Sequence, residues 1–278
     1  LSASNCFKYS VPSPDSGRKG QMSRLSGRPI FIIGSPRSGT TLLRLLLDSH
    51  PNISCGSETH FLTQMERIVG HNWYSIELFQ FDKAYWHRKI AEFFDTFQSD
   101  YALSRGKHRW AEKTPQYTLR VEFINHLFPD CQFIHMIRDG RDVVTSHRDR
   151  WGFRSALASI NAWRTYVQTA QCFGRSLPDD RYHELRYEAL VDQPEAVMRR
   201  AFEYLHEPWV PEVLEYDQAA HDLGPRHARH TATRRASSGD TSLIYQSRVG
   251  AGHRELGRIL SFLFHVKNGK LLRKLGYR

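Results

Sequence analysis

Cysteine is scarce in this chain: Cys6, Cys55, Cys131 and Cys172 are the four in 278 residues, with neither metal-ligand spacing nor an evident pairing pattern. A disulfide-built scaffold and a cysteine zinc site are thereby excluded, and a reducing compartment, the cytoplasm, is expected. Long apolar runs are also missing. No stretch reaches the ~18 apolar residues of a membrane span, and the N-terminal region has no signal-peptide core, so no transmembrane segment is expected. No internal repeat is visible, and the chain opens on Leu1 rather than Met, as a processed or truncated product would. Acidic residues are in deficit, 29 Asp and Glu against 39 Lys and Arg, which leaves a formal net charge of +10. That charge implies an anionic ligand or partner. Nucleic acid is not the expected one, because no nucleic-acid-binding motif is present and the arginines gather in short motifs rather than one stripe.

Residues 1–28 are dominated by Ser, Gly, Pro, Lys and Arg without periodicity, and are expected to form a disordered leader before one domain spanning 29–278. The most informative stretch opens that domain. Pro29-Ile30-Phe31-Ile32-Ile33-Gly34-Ser35-Pro36-Arg37-Ser38-Gly39-Thr40-Thr41-Leu42-Leu43 is an apolar strand, a glycine-bounded turn and the start of a helix. Gly34 and Gly39 bracket four residues, as in the Walker loop, so backbone N–H groups and a helix N-terminus can converge on an anion. Where a nucleoside triphosphatase carries its lysine this chain has Thr40, and Arg37 lies inside the loop instead, which suits a 5′-phosphate without a triphosphate tail.

A second motif follows about 100 residues later, at the carboxyl end of another apolar run where open α/β sheets bind ligands. Phe133-Ile134-His135-Met136-Ile137 leads into Arg138-Asp139-Gly140-Arg141-Asp142-Val143-Val144-Thr145-Ser146. The two motifs resemble those of sulfotransferases that use 3′-phosphoadenosine 5′-phosphosulfate (PAPS). The resemblance implies that Ser35, Pro36, Arg37, Ser38, Gly39, Thr40 and Thr41 cradle the 5′-phosphosulfate. It also implies that Arg138, Ser146 eight residues on and Arg150 twelve residues on hold the 3′-phosphate. Tyr187, in Arg186-Tyr187-Glu188-Ala189-Leu190-Val191, resembles a segment near the adenine; an aromatic packed at a strand-to-helix junction is the competing reading, and the two are compatible.

Sulfuryl transfer requires positioned oxygens, removal of the acceptor proton and neutralisation of charge on the leaving phosphate. Cys55-Gly56-Ser57-Glu58-Thr59 is similar to a run in which tyrosylprotein sulfotransferases carry a catalytic glutamate, which makes Glu58 the expected general base. Its surroundings are also helix-capping chemistry, so a cap is the competing role. Cytosolic sulfotransferases use a histidine two residues after a lysine; here the matching run is Lys113-Thr114-Pro115, and proline takes no proton. The resemblance implies that Lys113 stands near the bridging oxygen, that Arg37 contacts the leaving oxygen, that Ser247 lies at the sulfate and that Arg248 adds a 3′-phosphate contact. Tyrosylprotein sulfotransferases also pair the cysteine before their glutamate with one just before their lysine. Glu112 occupies that second position, so such a bridge cannot form and an acceptor other than a luminal protein tyrosine is favoured.

Helices are expected over 40–49, 64–69, 83–97, 118–127, 143–150, 156–173, 194–205 and 254–263, with strands at 109–112 and 133–137 beside the apolar strand that runs from Pro29 into the Gly34 turn. Strands separated by helices argue for a three-layer α/β domain, a central parallel sheet with helices on both faces, like that of P-loop nucleoside triphosphatases. The His- and Arg-rich stretch from His221 to Ser238 is read as a long loop that sets acceptor choice. The apolar spacing of Leu271, Leu272 and Leu275 marks a closing helix packed on the core. The expected reaction moves SO3 from PAPS to an acceptor hydroxyl and leaves 3′,5′-bisphosphoadenosine (PAP), without a metal. The acceptor class is open among small molecule, lipid, saccharide and peptide tyrosine, and the reading leaves room for a homodimer. A P-loop kinase and a non-catalytic polyanion binder are the rivals.

Overall fold

The computed structural model describes residues 27–219, 221 and 249–277. Five parallel strands form its sheet in the order β2-β3-β1-β4-β5: β1 Ile30–Gly34, β2 Ile53–Cys55, β3 Arg109–Glu112, β4 Gln132–Ile137 and β5 Tyr182–Arg186. Successive residues of a strand point to opposite faces, and β1 shows the consequence directly. Ile30 and Ile32 enter one apolar cluster with Leu43, Leu46, Leu47, Met198 and Phe202, while Phe31 and Ile33 enter the other with Phe94, Trp110, Ile124 and Phe133. Helices α1 (Thr40–Asp48), α8 (Tyr187–Asp192) and α9 (Pro194–Leu205) close the first face; α4 (Lys83–Ser104), α5 (Val121–Leu127) and α7 (Phe153–Gly174) close the second. The expected three-layer α/β architecture is therefore present.

The expected helices are found, with bounds set by local chemistry. The helix beginning at Arg254 is two helices, Ala251–Glu255 and Arg258–Lys274, because Gly257 turns the chain at φ 79°. On the second of these Leu271 and Leu272, with Leu275 just past its end, are buried, packing with Val143, Ile160 and Trp163 of α6 (Gly140–Trp151) and α7. The span expected to be helical from 118 begins as a 3-10 turn, Pro115–Arg120. Strands β2 and β5 carry no sequence signal: three residues are too few for a period, and Tyr182-His183-Glu184-Leu185-Arg186 is a polar edge strand with one buried residue.

This topology places the site. From β1 the chain moves outward to β2 and returns to β3 on one side, then proceeds to β4 and β5 on the other, so the order reverses at β1. Ligands of open parallel sheets bind at such a reversal, beyond the carboxyl ends of the strands. Gly34 pairs with Met136 and Phe31 with Glu112, so the residues following β1, β3 and β4 emerge side by side there. No helix among the described residues is long and apolar enough to cross a membrane.

Candidate active site

The turn after β1 is shaped by three positive-φ residues: Gly34 at 148°, Arg37 at 73° and Gly39 at 94°. Two of them are glycine for steric reasons. A Cβ at Gly34 would lie 2.5 Å from the Met136 carbonyl oxygen, and one at Gly39 would lie 2.3 Å from Cδ2 of Tyr187. Ser38 N–H closes the turn on Ser35 O at 3.1 Å, and Thr40 opens α1 directly behind it, with its helix N-terminus facing the turn. Ser35, Ser38 and Thr40 are buried, and Thr118, unmarked in sequence, pins the base of the turn: its Oγ1 accepts from Gly34 N–H at 2.8 Å and donates to Gly34 O at 3.2 Å.

The second motif folds against the first. Arg37 Nε donates to Ser146 Oγ at 3.0 Å, and Arg138 Nη1 donates to Arg37 O at 3.3 Å. The Arg138 guanidinium lies 4.1 Å above the Tyr187 ring, which also meets Gly39, so Tyr187 packs against both motifs. Its packing role is thus visible. Arg150 follows Ser146 by one helical turn on α6 and stands 5.2 Å from the Trp151 ring, while Arg37 approaches the same ring at 5.7 Å. Trp151 and His147 join the cluster without having been marked in sequence; burial first and the Arg37 charge second push the His147 imidazole down to about 4, so it is a neutral group there.

Asp142, another unmarked residue, ties the C-terminal segment to this corner. Its carboxylate lies 3.5 Å from Arg138 Nη2 and accepts from Gly250 N–H at 3.0 Å and Gly252 N–H at 2.6 Å. It sits in the first turn of α6, four residues after Arg138, which precedes the helix, and that spacing was the available signal. Ser247 and Arg248 themselves lie outside the described residues.

On the other side of the turn, Lys113 Nζ is ion-paired and hydrogen-bonded to Glu58 Oε1 and lies 3.4 Å from Thr41 Oγ1. The Lys113 side chain is 2% exposed and that of Glu58 29%, so the pair presents its carboxylate outward. Glu58 does not cap α2 (Phe61–His71): the position before that helix is His60, held at φ 57°, and no side-chain capping bond is made there. His60 Nε2 stands 3.5 Å from Glu58 Oε2. Ser35, Pro36, Arg37, Ser38, Gly39, Thr40, Thr41, Glu58, Lys113, Arg138, Ser146, Arg150 and Tyr187 thus gather around the turn after β1, at the sheet's reversal point.

Of the stretch read as a long loop from His221, the first residue is described, and its side chain is 4% exposed: His221 Nδ1 pairs with Asp48 Oδ2 at 2.7 Å. Residues 222–238 lie outside the description, as do 1–26 of the expected leader; Arg28 is tied to Asp180 at 2.8 Å. Cys55 and Cys131 are buried free thiols, and burial pushes both up to about 12. Among the described residues no three His, Cys, Asp or Glu side chains surround a common metal position.

Residues 29–211 match the model of the Sulfotransferase family, and the chain belongs to it. Among curated relatives, protein-tyrosine sulfotransferase A of Caenorhabditis elegans is 32% identical over 209 residues, covering 68% of this chain and 52% of that protein. The protein-tyrosine sulfotransferase of Drosophila melanogaster is 30% identical over 204 residues, covering 68% and 40%. The chain spans about half the length of the curated relatives it matches. Among solved structures, the sulfotransferase domain from the curacin biosynthetic pathway superposes with a TM-score of 0.66 at 22% identity, covering 92% of this chain and 99% of that one. The sulfotransferase domain of the Synechococcus PCC 7002 olefin synthase gives 0.56 at 20%, covering 87% and 100%. These structures share the fold.

Proposed function

We propose that this chain transfers a sulfuryl group from PAPS to an acceptor hydroxyl, with Glu58 as general base. The observation that carries the reading is the convergence of four elements at the sheet's reversal point: the turn after β1, Lys113 after β3, Arg138 and Ser146 around β4, and Glu58 after β2. The site fits the donor. Its turn offers backbone N–H groups and a helix N-terminus, its arginine set is cationic, and the Gly39 contact with Tyr187 leaves no room for a Cβ on the turn's lower side. PAPS, when bound, supplies a sulfur whose bond to the bridging phosphate oxygen breaks as the acceptor oxygen bonds to it.

The chain's own residues divide the remaining work. Glu58 takes the acceptor proton on its partly exposed carboxylate. Lys113, buried and aimed at the same place, supplies positive charge to the oxygen that leaves, and Thr41 steadies its ammonium. Arg37 offers a planar multidentate donor from inside the turn, and Arg138, Ser146 and Arg150 select a 3′-phosphorylated nucleotide. Ser247 and Arg248 retain in this reading the roles that resemblance gives them. The kinase alternative lacks its turn lysine, and the likeness to protein-tyrosine sulfotransferases supports an acceptor hydroxyl such as that of tyrosine. The free buried thiols Cys55 and Cys131 support a reducing compartment.

An acceptor screen with sulfate-labelled PAPS tests the proposal. Label should move to at least one hydroxyl acceptor with stoichiometric release of PAP. Transfer from ATP in place of PAPS would overturn it in favour of a kinase.

A further inference from the structure

Strand pairing between β2 and β3 ends at Cys55 and Ala111. Beyond it, the segment bearing Glu58 and the one bearing Lys113 are joined through side chains, and Glu112 is at the centre of those joints. Its Oε1 accepts from Thr114 Oγ1 at 2.6 Å, from Thr59 Oγ1 at 3.4 Å and from Thr59 N–H at 3.5 Å; its Oε2 accepts from Gln98 Nε2 at 2.9 Å. Thr59 immediately follows Glu58, and Thr114 immediately follows Lys113. Tyr117 completes the brace: its hydroxyl lies 3.0 Å from Thr59 Oγ1 and accepts from Leu62 N–H at 3.0 Å.

We propose that Glu112 is a positioning residue of this site: its carboxylate holds Thr59 and Thr114 together, and so fixes the Glu58 carboxylate opposite the Lys113 ammonium. The inference rests on the sulfotransferase reading of the site. It explains why an acid stands, 1% exposed, at the end of a buried strand. Two neighbours of Glu112, the Thr59 N–H and the Gln98 side-chain nitrogen, can only donate, while the Thr59 and Thr114 hydroxyls donate to it as a carboxylate and can accept from it as an acid. Burial nevertheless pushes Glu112 up to about 7, against the Thr114, Thr59 and Gln98 bonds and the Lys113 charge. Charge strengthens each bond it accepts, so the brace tightens as the proton leaves.

The charged and titratable groups facing Glu112 are Lys113 on its own segment, Cys55 from β2 and Tyr117 from the 3-10 turn. Burial holds the Cys55 thiol at about 12 and pushes Tyr117 above its ordinary value, so neither changes charge near neutrality. His60 near Glu58 is removed from the profile by making each comparison in a His60→Gln background.

The test compares Glu112→Gln and Thr59→Val with the parent in single-turnover sulfate transfer from pH 6 to pH 8, alongside PAP titration and the pH dependence of the Thr59 amide resonance. At pH 8 Glu112→Gln should transfer ~10-fold or more slowly, because small misplacements of reacting groups are expensive. The deficit should shrink towards parity at pH 6, where the parent also loses the charge, and PAP affinity should stay within about twofold. Thr59→Val, which keeps the acid but removes one hydroxyl from the brace, should slow transfer in the same direction. In the parent the Thr59 amide should titrate near pH 7, and in Glu112→Gln it should not. An equal deficit at every pH, or a loss of PAP affinity matching the loss of rate, would reduce Glu112 to a fold-stabilising residue and overturn the proposal. A parent that transfers nothing, with the Thr59 titration intact, would fault the sulfotransferase reading and leave the brace standing.

Discussion

Arg37 Nε donates to Ser146 Oγ across 3.0 Å, joining the turn after β1 to helix α6 over 109 residues of sequence. Two motifs that read separately in sequence thus form one continuous donor surface, with Arg138 reaching the Arg37 carbonyl on its other side. A nucleotide phosphorylated at both the 5′ and 3′ positions can satisfy both halves at once.

The corresponding prediction concerns nucleotide selectivity. PAP should bind at least roughly tenfold more tightly than 5′-AMP, about 1.4 kcal/mol or more, since charge-assisted contacts to the 3′-phosphate are present for one and absent for the other. Arg138→Ala should erase that preference while leaving 5′-AMP binding nearly intact. Calorimetry with both nucleotides decides it, and equal affinities for the parent would remove the second motif from the site.

A second prediction follows from the Gly39 contact. Gly39→Ala should destabilise the fold by about 1–2 kcal/mol for its left-handed backbone alone and weaken PAP binding as the turn lifts off Tyr187. Gly39→Ala combined with Tyr187→Ala, which clears the overlapping ring, should recover part of the lost affinity. Additive losses in the double variant would show that the ring does not shape the turn.

The pH dependence of stability supplies a third. Glu112 binds its proton more tightly folded, at about 7, than its ordinary value of 4.5. Between those values the folded state holds more protons than the unfolded one, so this group's contribution to stability falls as pH rises from about 4.5 to about 7. Glu112→Gln should flatten that part of the stability curve. Denaturant melts at several pH values will show the change of slope, and an unchanged slope would mean that Glu112 titrates alike in both states.

The two glycine- and arginine-bearing turns of the candidate site were legible in sequence because each is local. Gly34 to Thr41 and Arg138 to Ser146 each place their functional groups within one strand-to-helix connection, and the same spacing appears in the folded turn. The fold class was legible for a related reason: the buried strands β1 and β4 are continuous apolar runs. The bracing residues were not. Thr118 reaches Gly34 over 84 positions, Asp142 reaches Gly250 over 108, and Thr59 reaches Glu112 over 53, contacts that no single-segment pattern encodes. Strand β5 escaped for want of a buried face, and the sequence could not show that His221 would be drawn in by Asp48. Burial would raise Asp48, yet its His221 and Arg105 bonds outweigh that and hold the carboxyl below its ordinary range.

The account turns on Glu58, and single-turnover transfer of labelled sulfate by Glu58→Gln tests it most directly. Glutamine keeps the size of the side chain and still offers Lys113 an acceptor oxygen, so folding and PAP affinity should be nearly unchanged, but it cannot take the acceptor's proton. Transfer should slow by ~10²-fold or more, the usual contribution of a positioned general base. Transfer at the parent's rate would contradict the account and move the base elsewhere, with His60, 3.5 Å from the Glu58 carboxylate, next to be tested.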